Sequence, residues 1–187
     1  MNSNPLTGRR RGRGSLRRTT WGASAALSAA AVVALGAAAA APAMASTAPS
    51  MNTVGNDTNI AVQGPNHSLH FYWATNGVAG WHPEKYAGAG TTYSAPSMTA
   101  GSGIVVIAAT GASQSLQFYW QALGGATWNP EQVAGSGTTY SAPSMTINSA
   151  GAIVSAAGPG GSLDFYWQLF GASTWNPEQV APPGSVG

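Results

Sequence analysis

The stretch FYWQALGGATWNPEQ, Phe118–Gln132, decides the reading of this chain, because it returns as FYWQLFGASTWNPEQ at Phe165–Gln179 and more loosely as FYWATNGVAGWHPEK at Phe71–Lys85. The distance never varies. Phe71, Phe118 and Phe165 stand 47 residues apart, as do Trp81, Trp128 and Trp175, and Met51, Met98 and Met145. A fixed period of this length marks a chain made of stacked supersecondary units, none of which can bury its own faces alone. Each copy opens on an APSM phrase (Ala48, Ala95, Ala142) and closes after PEK or PEQ, and the alignment needs no gaps. The copies run over about 46–93, 94–140 and 141–187, so a single repeat domain, 46–187, takes up the chain beyond its first 45 residues.

Every copy contains four strand-like pieces. The first is TAPSMN or SAPSMT; the second is the apolar run NIAVQ, IVVIAAT or AIVSAA; the third is SLHFYW, SLQFYW or SLDFYW; the fourth starts at the second tryptophan, as in TWNPEQVAG. Alternation along the third places Leu116, Phe118 and Trp120 on one face and Gln117, Tyr119 and Gln121 on the other. Gly64-Pro65-Asn66, Gly111-Ala112-Ser113 and Gly158-Pro159-Gly160 read as hairpin turns between the second and third strands. The expected fold is all-β, with three 47-residue four-stranded repeats arranged as β-propeller-like blades, the apolar second strand towards the inside of each blade.

These phrases resemble the blades of bacterial and fungal β-propeller lectins, fucose-binding ones among them: a small-Pro strand (SAPSM), an apolar strand, an SLxFYW strand and a last strand opened by tryptophan (WNPE). The resemblance covers nearly all of 46–187 and implies a carbohydrate-binding protein. Propellers have about 4 to 8 blades, so three cannot close a ring. Oligomerisation, most simply a homodimer, would complete it, as in some small lectins of that group. The alternative is a β-trefoil, which closes three four-stranded units within one chain, although its Q-x-W signature is missing here.

The first 45 residues have the layout of an export signal. All six arginines (Arg9, Arg10, Arg11, Arg13, Arg17, Arg18) precede an apolar run from about Gly22 to Ala41, and Ala43-Met44-Ala45 suits cleavage after Ala45. Arg17-Arg18 ahead of a weakly apolar core admits the twin-arginine route beside the general one. A membrane anchor is the competing reading of the apolar run, weakened by its alanine and glycine content. The expected location is secreted or extracellular, with attachment to the cell envelope left open.

Without that leader the chain keeps Lys85 against Asp57, Glu84, Glu131, Asp164 and Glu178, a net charge of −4. One lysine and no arginine cannot neutralise a row of phosphates, which argues against nucleic acid and anionic membrane surfaces as partners. There is no cysteine, so no disulfide supports the fold.

Carbohydrate is the partner the aromatics favour. Sugars stack a C–H face on an aromatic ring while carboxylates or amides take their hydroxyls. Trp73, Trp120 and Trp167 alternate in phase with Leu and Phe and read as core. The second set follows a glycine-rich turn, and the candidate ligand-binding groups are Trp81 with His82 and Glu84, Trp128 with Asn129 and Glu131, and Trp175 with Asn176 and Glu178. The resemblance matches these tryptophans and glutamates to the family's stacking and acceptor residues; the arginine of fucose-binding sites has no counterpart, which puts fucose in doubt. Tyr72, Tyr119 and Tyr166, facing away from the Leu-Phe-Trp side, and Tyr93 and Tyr140 in the TTYSAPS joint between copies are secondary candidates for lining a polar groove.

No catalytic residues are expected. Glycoside hydrolysis needs two carboxyl groups about 5 to 10 Å apart with different acidities, whereas Glu84, Glu131 and Glu178 are one position repeated. Asp164, replaced by His70 and Gln117 elsewhere, breaks the symmetry only in the third copy. No cofactor is implied and no metal site: His67 and His70, three apart on an extended strand, would point to opposite faces. The function expected is an exported, non-enzymatic lectin-like protein, and the alternative is a structural or protein-interaction module of the envelope whose tryptophans only hold blades together.

Overall fold

The computed structural model of the protein describes residues 48–187, and the leader with its cleavage position lies outside the described residues. Twelve strands form three four-stranded antiparallel sheets, each drawn from one copy of the repeat. Blade 1 is β1 (Ser50–Val54), β2 (Asp57–Gly64), β3 (Ser68–Thr75) and β4 (His82–Ala87). Blade 2 is β5 (Ser97–Gly101), β6 (Ile104–Thr110), β7 (Leu116–Ala122) and β8 (Asn129–Ala134). Blade 3 is β9 (Ser144–Ile147), β10 (Gly151–Ala157), β11 (Leu163–Leu169) and β12 (Asn176–Ala181). Each is a simple meander in which neighbouring strands in the chain are neighbours in the sheet. These are propeller-like blades. The first strands of successive blades lie against one another, β1 on β5 and β5 on β9.

Two differences from the sequence reading are small. The APS phrase belongs to the joint before the first strand, which starts at Ser50, Ser97 and Ser144, and the fourth strand begins one residue after its tryptophan. The expected second-to-third turns are single 3-10 turns at Pro65–His67, Ala112–Gln114 and Pro159–Gly161, with the middle residue left-handed in each (Asn66 φ 55°, Ser113 φ 54°, Gly160 φ 66°). The segment that leaves each fourth strand hooks onto this turn. Amides of Gly90, Thr91 and Thr92 donate to the carbonyls of Asn66 and His67, and those of Gly137, Thr138 and Thr139 repeat the pattern on Ser113 and Gln114.

The joint then crosses to the next blade. Tyr93 donates its amide to the Thr110 carbonyl at 2.7 Å and Tyr140 to that of Ala157 at 2.8 Å, while Ser94 and Ser141 accept the amides of Thr110 and Ala157 on their hydroxyls. At the first strands, Ser50 Oγ accepts the Met98 amide at 2.9 Å and Ser97 Oγ accepts that of Met145 at 3.1 Å. Each blade is thereby tied to its successor at both ends of the shared face.

Apolar packing lies between blades. Leu69 and Phe71 of blade 1 meet Val105, Ile107 and Tyr119 of blade 2, and Leu116 and Phe118 of blade 2 meet Ala152, Val154 and Tyr166 of blade 3. The Leu-Phe-Trp face of one blade thus packs on the opposite face of the next. Tyr119 and Tyr166 are correspondingly buried, so they do not line the polar groove offered for them. Burial pushes both hydroxyls above the ordinary tyrosine pKa; a Thr91 hydrogen bond opposes the shift at Tyr119, and at Tyr166 the Asp164 charge adds to it while Thr138 opposes it. A trefoil would close the three units on one another. Here the outer face of blade 1 stays open, with Trp81 51% and Met51 67% exposed.

Candidate functional site

The third and fourth strands of a blade bring tryptophan and glutamate together. In blade 1, Phe71 pairs across the ladder with Glu84 and Trp73 with His82, so Phe71, Trp73 and Glu84 share one face. In blade 2 the same register sets Phe118 opposite Glu131 and Trp120 opposite Asn129. The Trp73 indole donates to Glu84 Oε1 at 3.1 Å, and the Trp120 indole to Glu131 Oε1 at 2.8 Å.

The second indole comes from the following blade. Trp128 Nε1 donates to Glu84 Oε2 at 3.4 Å and Trp175 Nε1 to Glu131 Oε2 at 3.2 Å. The Trp128 ring stands edge-on to Phe71 at 5.0 Å, and the Trp175 ring to Phe118 at 5.0 Å. Each junction is therefore a carboxylate held between two indoles over a phenylalanine. A carboxylate offers about four acceptor directions; two are used here, and the others remain for hydroxyl donors.

The sequence grouped Trp128 with Glu131 and Trp175 with Glu178, and the structure separates both pairs. Three residues along an extended strand reverse the side-chain direction, so Trp128 faces blade 1 while Glu131 faces blade 3. Trp128 meets Glu84 and Trp175 meets Glu131, whereas among the described residues neither Glu178 nor Trp81 has a side-chain hydrogen bond. Asn129 and Asn176 donate to the carbonyls of Trp120 and Trp167, at 3.4 and 3.3 Å. In blade 1, His82 lies flat on Trp73, with ring centres 4.1 Å apart.

A cleft opens beside each carboxylate. The one between blades 2 and 3 has a volume of about 450 Å³ and is lined by Phe118, Trp120 and Glu131 on one wall and by Gln168 and Phe170 on the other. Its counterpart between blades 1 and 2, about 230 Å³, has Phe71, Trp73 and Glu84 facing Gln121 and Leu123. The residues correspond one for one across the 47-residue period. The far wall is the turn between third and fourth strands, where Gly124 (φ 72°) and Gly171 (φ 81°) occupy the third position of a type II turn that a side chain would strain. Gln121 braces that turn, donating to the Gly125 carbonyl at 2.7 Å.

The two clefts differ in detail. The first gains Asp57, whose Oδ1 accepts the Thr75 hydroxyl at 2.7 Å, and the buried amide of Asn59, whose Nδ2 has no partner among the described residues. A hollow on the other side of Glu84, lined by Tyr86, Trp128 and Pro130, completes the surroundings of that carboxylate. Trp73, Trp120, Gln121 and Gln168 lie outside the candidate set drawn from the sequence. The alternation that puts Trp73 and Trp120 on the glutamate's own face is the signal that finds the tryptophans; Gln121 and Gln168 lie on the opposite face and reach each cleft from the following blade.

The described residues contain no group of three or more His, Asp or Glu side chains placed to hold a metal ion. None of their helices is long and apolar enough to cross a membrane.

No protein-family model matches the chain, and no curated protein matches it in sequence. Among solved structures it is similar to BP39L lectin from Burkholderia pseudomallei, with a TM-score of 0.64 and 21% identity, over 72% of this chain and 41% of that one. It is also similar to a triple arginine-to-alanine mutant of AofleA from Arthrobotrys oligospora, with a TM-score of 0.57 and 14% identity, over 75% of this chain and 43% of that one. The chain thus spans less than half the length of either. The resemblance read from SAPSM, SLxFYW and WNPE holds at the level of the fold, that of repeated four-stranded blades shared with bacterial and fungal proteins.

Proposed function

We propose that this protein is an exported, non-enzymatic lectin that binds saccharides in the clefts between its blades. The observation that carries the reading is the recurrence of one cleft at two junctions, each with a carboxylate oriented by two indole N–H groups. A carboxylate fixed in this way accepts sugar hydroxyls, and the adjoining ring gives the C–H face somewhere to stack. Trp128 and Trp175 act by holding Glu84 and Glu131, and Trp120 offers the better stacking surface, since Trp73 is already covered by His82. The lectin among its structural neighbours supports the same class of ligand.

The carboxylate common to both clefts is a single one, Glu84 or Glu131, and Asp57 of the first cleft gives way to Ile104 in the second, so the recurring site supports binding over hydrolysis, which needs an acid and a second carboxylate. The basic leader, apolar run and Ala43-Met44-Ala45 support export of the mature chain, and three blades with two open faces support a homodimer.

The test is a glycan-array screen of the wild-type protein followed by tryptophan-fluorescence titration of each hit. Glu131→Gln keeps a hydrogen-bonding group in place and is expected to weaken binding of that hit at least tenfold with its circular dichroism unchanged. Unaltered affinity in this variant would remove the blade 2–3 cleft as the site. A folded wild type that binds no glycan would favour the second reading, a structural β-repeat module, for which the cross-blade Trp–Glu bonds already supply a purely architectural role.

A further inference from the structure

Blade 1 departs from the repeat along one row of the face that meets blade 2. Asn52, Asp57, Asn59 and Thr75 stand where blade 2 has Thr99, Ile104, Val106 and Ala122 and blade 3 has Thr146, Gly151, Ile153 and Leu169. The ladder gathers the four: Asn59 pairs with Asn52 on one side and with Trp73 on the other, and Asp57 pairs with Thr75. Directly opposed residues share a face of the sheet, so this polar row lies beside Trp73 and Glu84.

Val106, the counterpart of Asn59, is fully buried core. An asparagine in such a place destabilises the fold unless its amide is bonded. Asn59 is 4% exposed, and its Nδ2 has no partner among the described residues; across from it, the buried Oδ1 of Asn52 has none either. Asn59 lines the cleft between blades 1 and 2 together with Asp57 and Glu84.

We propose that this cleft is a separate site, selective for a sugar with a free amine, whose ammonium sits on Asp57 and whose neighbouring hydroxyl sits on Asn59. The proposal deepens the reading of the clefts as saccharide sites and rests on it. A hydroxyl is both donor and acceptor, so it accepts from Asn59 Nδ2 and donates to Asn52 Oδ1, the two groups that the fold leaves unpaired. Asp57 is oriented by the Thr75 hydroxyl on Oδ1 at 2.7 Å, and its other oxygen serves the ammonium. Charge-assisted bonds are roughly twice as strong as neutral ones, so an amine outweighs a hydroxyl in that place.

The remaining lining narrows the ligand class. Two carboxylates and no lysine or arginine line the cleft, which sets it against sulfated, phosphorylated and uronic sugars. Its volume is about 230 Å³ against 450 Å³ for the cleft between blades 2 and 3, which suits an unsubstituted amine over an N-acetyl group. A bare cation would answer the carboxylates and leave the Asn59 N–H, a donor, unpaired. With Ile104 in place of Asp57 and Val106 in place of Asn59, the second cleft keeps Glu131 as its one carboxylate and takes neutral sugars.

The test is isothermal titration calorimetry at neutral pH with glucosamine, N-acetylglucosamine and glucose, with the Asn59 side-chain amide followed by NMR. Wild type is expected to bind glucosamine at least about tenfold tighter than the other two, the scale of one charge-assisted hydrogen bond, and the Asn59 amide signals should shift as glucosamine saturates. Asp57→Asn still accepts the Thr75 hydroxyl and should abolish the preference. Asn59→Val installs the residue of blade 2; it should weaken glucosamine binding about tenfold while unfolding no more easily than wild type, because an unpaired buried donor is removed. Equal affinity for the three sugars overturns the proposal, as does a preference that survives Asp57→Asn. Asn59 signals that stay fixed at saturating glucosamine overturn it too, by showing that the two asparagines bond to each other. Neutral-sugar binding that is lost in Glu131→Gln, from a wild type without any preference for glucosamine, strikes this proposal and leaves the lectin reading standing. A folded wild type that binds no saccharide at all strikes both.

Discussion

Blades 2 and 3 are nearly the same sequence over FYWQ and TWNPEQ, and they are buried very differently. Phe118 is 3% exposed between two neighbours, while Phe165, with the same strand around it, is only partly buried. Blade 2 buries both faces, Val106 and Leu116 on one and Ile107 and Tyr119 on the other, because a blade covers each. The comparison teaches that burial in this fold is a property of position in the stack, since the strand alternates identically in every copy. Nearest-neighbour contacts carry the stability of such arrays.

Truncating equivalent residues in the two blades separates these contributions most sharply. Phe118→Ala is expected to cost about 3–5 kcal/mol, as the loss of a fully packed ring does. Phe165→Ala in dilute solution should cost clearly less, with the gap narrowing as protein concentration rises and blade 3 becomes covered. Chemical denaturation at several concentrations measures both. Equal costs at every dilution would mean that the open face of blade 3 is covered in some other way.

The carboxylates give a smaller contrast. Glu84→Ala strands two indole N–H groups, those of Trp73 and Trp128, and is expected to destabilise the chain by about 1–3 kcal/mol. Glu178 is exposed and accepts no side-chain bond among the described residues, so Glu178→Ala should change the unfolding of the single chain by no more than about 0.5 kcal/mol. Comparable losses in the two variants would show that Glu84 owes its contribution to something both blades share, not to the cross-blade clamp.

How much of this was legible beforehand depends on the range of the interaction. The period, the four strands per copy, the turns at Pro65, Ala112 and Pro159 and the two faces of SLQFYW all follow from local alternation and turn chemistry, and the structure has them. The site required one step more. Trp-x-x-Glu looks like a unit because its residues are close in sequence, but an odd spacing on a strand sends them to opposite faces, and the indole that reaches Glu84 lies 44 residues away at Trp128. That number is one repeat of 47 less the three residues of the motif. Tyr119 and Tyr166 were obscured for a related reason: alternation puts them with glutamines, and only the neighbouring blade turns that face into core.

The weakest contrast is in acidity. At the first junction Tyr86 stands edge-on to Tyr119, 4.9 Å between ring centres, and burial raises its hydroxyl pKa well above the ordinary value, with Tyr119 adding to the shift. Tyr119 and Tyr166 shift the same way, chiefly through burial. A group whose folded pKa is raised binds its proton more tightly in the folded state, so its contribution is fully present below the unfolded value of about 10 and is lost as pH climbs through the folded value. The junctions should therefore loosen only in strong alkali: melting temperature is expected to stay level from pH 8 to about 10 with respect to these groups and to fall above it. Tyr86→Phe removes the ionisation while keeping the ring against Tyr119 and Trp128, and it should flatten that fall. Because Tyr86 has no tyrosine equivalent in the other blades, where Val133 and Val180 take its place, an unchanged alkaline slope in this variant would assign the sensitivity to Tyr119 and Tyr166, one at each junction, and away from Tyr86.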